Sequence, residues 1–195
     1  MRRAPLAIGL GLALVPCAVR AQTVVELRGA TTEYRFVDLN HTFKNGVLLD
    51  LLYLGATGSN ELYAGAGWSW KPAAGVTLTP IVYGVAGHES RERGIALCAS
   101  VFVDKGGFRV LGFGGRFLRS SGGVPDYDFL DSLDVTKVFA GKWEIGASAG
   151  FLHIGEDWNE LVGGTLKFND KRGATAIALR GGHRTELRLI RTFVF

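Results

Sequence analysis

Three consecutive residues, His88-Glu89-Ser90, carry an imidazole base, a carboxylate and a hydroxyl nucleophile, the parts of an acyl-transfer site. The neighbours Arg91-Glu92-Arg93 read instead as a solvated polar loop, and that is the preferred reading. His153, Glu156 and Asp157 combine an imidazole with two carboxylates, usual ligands for a divalent metal, but their spacing matches no specific metal motif. Gly112-x-Gly114-Gly115 lies inside an alternating apolar pattern with no helix to follow, so it does not form a phosphate cradle. No cofactor motif is present. Cys98 lies among the small residues Ala96 to Ser100, which supply nothing to stabilise a thiolate, and it reads as a packing residue.

The elements that must position these groups are strands. Runs of about eight to twelve residues alternate with period 2 and are cut by Gly, Asn, Asp, Ser or Lys-Pro turns, while long helical periodicity is missing. Twelve strands are expected near residues 23–28, 32–43, 47–56, 61–70, 76–86, 94–104, 108–118, 127–139, 143–154, 160–168, 174–182 and 186–195, with the first the weakest. One set of connections is tight: Lys44-Asn45-Gly46, Lys71 to Gly75, Lys105-Gly106-Gly107, Gly141-Lys142 and Asn169 to Gly173. The alternate set, Gly29 to Thr31, Thr57 to Asn60, Gly87 to Arg93, Arg119 to Asp126, Gly155 to Asn159 and Gly182 to Thr185, is on average longer and more polar. Ten strands also fit the length, whereas eight would leave about half the chain for loops at ~10 residues per membrane strand.

Both ends of the chain bear on its address. Arg2 and Arg3, the apolar stretch Leu6 to Val15 and Val19-Arg20-Ala21 have the order of a signal peptide, which sets a leader at residues 1–21 and one domain at 22–195. Pro16 before Cys17 argues against a lipoprotein site. Of 22 basic and 18 acidic residues, the leader holds three arginines and no acid, leaving 19 against 18 and no basic footprint for nucleic acid. The final strand, Glu186 to Phe195, ends on Phe with Phe193 on the same face. It resembles the C-terminal strand of bacterial outer-membrane β-barrel proteins. That resemblance implies a closed antiparallel transmembrane barrel of all-β class, contact with outer-membrane lipids, and recognition of Phe193 and Phe195 by the barrel-assembly machinery. His88-Glu89-Ser90 also resembles, over those three residues alone, the His-x-Ser arrangement of outer-membrane lipid A deacylases.

In such a barrel the short turns face the periplasm, and outward positions must be apolar because lipid satisfies no polar group. Alternation then points Asp50, Asp128, Asp134, Glu144, Lys167 and Arg188 into the lumen, where mixed charges neutralise one another or tune the passage of small solutes. Trp68, Trp70, Trp143 and Phe195 fall at one rim and Trp158 at the other, as in an aromatic girdle. Asp131, Lys137 and Arg191 fall on apolar faces, and Pro80 falls in mid-strand, so bulges or interfacial depth are expected there. The leading expectation is a small structural envelope barrel or narrow porin-like channel. An envelope lipid or ester hydrolase working at the outer rim and a soluble periplasmic barrel for a small apolar ligand are the alternatives. Oligomeric state is not encoded in any feature of the chain.

Overall fold

The computed structural model describes residues 21–56, 59–87, 93–121 and 125–195. Within them lie β1 (Gln22–Ala30), β2 (Arg35–Thr42), β3 (Val47–Ala56), β4 (Ser59–Trp68), β5 (Trp70–Ala73), β6 (Val76–Gly87) and β7 (Arg93–Lys105). They are followed by β8 (Phe108–Ser121), β9 (Tyr127–Phe139), β10 (Trp143–Ile154), β11 (Asp157–Asp170), β12 (Gly173–Gly182) and β13 (Glu186–Val194). Both β4 and β5 pair with β6, so they are two halves of one stave, and the staves number twelve. Every pairing is antiparallel, and β1 pairs with β13 from Val24↔Val194 to Ala30↔Arg188, which closes the ring. Twelve, not ten, is therefore the strand number. The leader segment, apart from Ala21, lies outside the described residues.

Closure follows from local chemistry repeated around the ring. Gly106 and Gly107, at φ 63° and 78°, form a two-residue turn between the paired Lys105 and Phe108. Positive φ at both positions matches the right-handed twist of the strands, and glycine adopts it without a Cβ penalty. Five of the short turns lie at one rim, where the exposed aromatic residues Phe43, Trp68, Phe108, Phe139, Trp143 and Phe195 also gather, while the two-residue turn Gly155-Glu156 between the paired Ile154 and Asp157 lies at the other. Trp158 is exposed at the opposite, loop rim. Along each stave one face is apolar and open, with Val82, Ile145 and Val162 54–61% exposed, and the other packs inward around Phe36, Tyr63, Tyr83, Ala96 and Phe117.

The residues that broke the alternation are each accommodated. Pro80 pairs in register with Ala99 on β7, and the irregularity lies on its other side, where the stave breaks at Ser69 between β4 and β5. There the Ser69 N–H turns to the Gly46 carbonyl at 2.7 Å, and Pro80, which has no N–H to give, lies beside this break in the pairing of β6 with β4 and β5. Arg191 stays on the outer face near the tight-turn rim, donating to Asp170 at 2.5 Å and Thr175 at 3.0 Å. Its guanidinium also lies 4.7 Å from the centre of the Phe193 ring. Lys137 lies near the same rim, 5.8 Å from the centre of the Phe108 ring.

Asp131 is the largest departure from simple alternation. On β10, Ala149 pairs with Leu133 and Phe151 with Leu130, and β8 shifts its register at the same level, between Phe113 and Gly114. β9 thus carries a bulge at Asp131 and Ser132 that turns Asp131 inward. Gly150 permits it: a Cβ there would lie 2.9 Å from the Leu130 carbonyl oxygen and 3.0 Å from that of Asp131.

Candidate functional site

Because the bulge exposes Asp131 to the lumen, a carboxylate on β9 meets arginines from the far wall. Arg28 on β1 ion-pairs with both Glu26 and Asp131. β1 and β9 are separated by five steps around the ring one way and seven the other, so the Arg28–Asp131 pair crosses the barrel. Arg188 on β13 binds Asp131 and Glu186 at 3.1 Å each, and Arg180 on β12 pairs with Glu186 and donates to the Asp131 carbonyl oxygen at 3.1 Å. Tyr34 donates to Asp131 at 3.1 Å, Thr32 to Glu186 at 2.9 Å and Thr192 to Glu26 at 3.0 Å. Three guanidinium groups meet three carboxylates, so the bridge is neutral as a unit. Its members are shielded, with the Arg180 and Glu186 side chains each 2% exposed.

This bridge divides the lumen into unlike halves. Toward the loop rim lies a cavity of about 590 Å³ walled by Tyr34, Phe36, Tyr63, Phe113, Tyr127 and Phe129 and floored by the bridge. Its hydroxyls are engaged: Tyr63 donates to Glu61 at 2.6 Å and lies 3.2 Å from the Tyr127 hydroxyl. Toward the tight-turn rim, Glu144 collects Arg109 at 2.5 Å, Asn169 at 2.7 Å, Thr136 at 2.8 Å and Lys167 at 4.0 Å. Among the described residues Asp38, Asp50 and Asp134 have no ion pair, and one oxygen of each is buried without a protein hydrogen-bond partner. Tyr83 serves the other oxygen of Asp50 at 2.6 Å, and Asn40 that of Asp38 at 3.0 Å.

Of the six residues that alternation pointed into the lumen, Asp50, Asp134, Glu144, Lys167 and Arg188 lie there. Asp128 does not. It lies before the bulge, so its phase is inverted, and it faces outward between Arg116 at 3.7 Å and His153 at 3.8 Å. His153 stacks on Trp158 with ring centres 4.0 Å apart, while Asp157 lies on the opposite face of its strand from Trp158. His153, Glu156 and Asp157 therefore do not converge, and no group of three or more such ligands forms among the described residues. His88 and Ser90 lie outside the described residues. Cys98 is buried beside the cavity, as a packing residue should be.

The bridge itself was missed on sequence grounds, though part of it left a trace. Arg180 shares a face with Ala174, Ala176 and Ala178, and Glu186 is its register partner across β12 and β13. That pairing is readable once the hairpin is set. Asp131 is not, since nothing local announces that a bulge will invert its face.

The closed twelve-stranded antiparallel barrel matches the fold of KdgM-type porin structures. The chain superposes on a KdgM porin with a TM-score of 0.66 at 15% identity, covering 88% of this chain and 99% of that one. It superposes on a KdgM porin in complex with disordered oligogalacturonate with a TM-score of 0.67 at 15% identity, covering 89% and 99%. A COG4313 outer membrane channel from Pseudomonas putida F1 follows with a TM-score of 0.60 at 13% identity, covering 92% and 97%. No family model and no curated protein matches the chain.

Proposed function

We propose that this chain is an outer-membrane β-barrel that forms a narrow, cation-preferring channel. The outward band supports the membrane assignment: residues such as Leu51, Ile145, Val162 and Leu179 are 46–61% exposed in the folded chain, an arrangement suited to hydrocarbon. The aromatic rim beside the short turns suits a lipid interface on the periplasmic side. In this reading the last strand, with Phe193 and Phe195, engages the barrel-assembly machinery, and Phe195 is available at 76% exposure.

The observation that carries the channel reading is the ion-paired bridge from β1 to β9. It restricts the bore without filling it with apolar side chains. The three acids lacking ion pairs, Asp38, Asp50 and Asp134, leave carboxyl groups in the lumen that no cation of the wall neutralises, and they favour cations over anions. An outward apolar surface argues against a soluble periplasmic barrel, because soluble proteins rarely leave contiguous apolar patches beyond a few hundred Å².

Planar-bilayer recording tests the proposal. Purified barrel should give small unitary currents with a cation preference, and Asp131→Ala, which removes the crossing carboxylate, should raise them several-fold. A wide wild-type pore unaffected by Asp131→Ala overturns the constriction. Silence of both proteins in bilayers overturns the channel and leaves a structural barrel.

A further inference from the structure

The loop-side cavity has a chemistry different from the rest of the lumen. Its polar wall groups are already committed: Tyr34 to Asp131, Tyr63 to Glu61, and Arg180 and Arg188 to Glu186 and Asp131. What remains open to a guest is apolar carbon, from rings and from Leu52, Leu54, Leu152 and Leu161. The rings are mutually braced, Phe117 stacking on Tyr127 at 4.9 Å and Phe113 meeting Phe129 edge-on at 6.0 Å. About 590 Å³ falls within the size range of small-molecule sites, which are mostly apolar with a few placed polar groups.

Charge narrows the class of guest. The floor contributes two arginines and two carboxylates tied to one another, so it offers no net charge to an ion, and pulling either sign free would leave its partner buried and unpaired. Asn159, on the inward face at the loop end of β11, makes no side-chain hydrogen bond among the described residues and can meet one polar group of a guest. His183 and Arg184 also line the cavity but are exposed at its mouth, where water screens their charge.

We propose that this cavity binds an uncharged aromatic molecule of one or two fused rings bearing at most one hydroxyl or similar group. The site rests on the barrel reading but not on conduction: it would load from the outer side and hold its guest above the bridge.

Binding of 2-naphthol to the full barrel in lipid nanodiscs tests it by fluorescence titration, with empty nanodiscs subtracted. Saturable one-site binding is expected, weakened at least tenfold by Leu152→Trp, which places an indole in the cavity. Arg184→Gln should leave it unchanged, and 2-naphthoate should bind at least tenfold more weakly than 2-naphthol. Heat-modifiable gel migration establishes that Leu152→Trp folds, and Leu54→Trp on the facing wall supplies a second occluding variant. Equal binding by wild type and both occluding variants means partition into lipid and overturns the site. Preference for 2-naphthoate that is lost in Arg184→Gln overturns the neutral class. Because binding is read without current, its failure is separate from failure of the channel, which bilayer recording reads alone.

Discussion

The outer face and the lumen of this barrel are built on opposite rules. Outward residues such as Leu39, Leu51, Leu166 and Ile177 are each suited to their surroundings individually, and none depends on a particular neighbour to be so. Inward charges are suitable only in company: Arg180 needs Glu186, and Asp131 needs Arg28, Arg188 and Tyr34. The difference is physical. Hydrocarbon asks one thing of every side chain, that it be apolar, while a low-dielectric interior asks each charge for a matching partner in the right place. Substitutions outside should therefore add, and substitutions inside should couple.

The largest effect should come from the bridge. Asp131→Ala leaves Arg28 and Arg188 without their shared carboxylate, and breaking a buried pair on one side costs about 3–5 kcal/mol. Urea unfolding in lipid vesicles reads this directly, and adding Arg28→Met to the Asp131→Ala background should restore part of the loss. A cost under ~1 kcal/mol would show that the lumen is solvated enough to dispense with partners. On the outside, Leu51→Arg near the middle of β3 should cost about 2–4 kcal/mol, since a cation there meets hydrocarbon. Combined with Leu166→Arg on the distant β11, the two losses should sum within ~0.5 kcal/mol. A tolerated Leu51→Arg, with the protein stable in water without detergent, would remove the membrane from the picture and with it one side of the contrast.

The same contrast explains what could be read from the chain alone. Twelve staves, their turns and the apolar face were legible because each depends on neighbours one or two residues away: Gly106-Gly107 makes its turn locally, and Val82 faces out because Ile81 and Tyr83 face in. Most of the lumen charges were legible for that reason as well. Alternation failed at Asp128 and Asp131, both on β9, because one inserted residue reverses the phase of everything before it. The crossing partner, Arg28, lies 103 residues away, and no local pattern links the two. The aromatic cavity went unseen for a related cause: its rings come from four staves, and only closure brings them together.

A double-mutant cycle sharpens the point at intermediate size. Arg180→Met and Glu186→Leu should each destabilise the barrel, while the pair should be less harmful than their sum by about 0.5–3 kcal/mol, because residues in one buried network share their energy. Simple additivity would place this pair with the outer face and break the distinction.

The smallest effect should mark where the lumen rule fades. Arg109 holds two carboxylates near the tight-turn rim, Glu144 at 1% side-chain exposure and Asp104 at 40%. One cation thus serves a buried partner and a solvated one. Asp104→Asn should cost no more than ~1 kcal/mol, and that loss should shrink in high salt, since an exposed pair is screened and its charges are served by water when parted. Glu144→Gln, by contrast, alters a carboxylate that also accepts from Thr136 and Asn169, so its larger loss should persist in salt. Equal costs for the two would mean that pairing with Arg109 alone sets the energy. Unequal costs would mean that burial decides, and that the lumen's demand for partners ends where water enters at the rim.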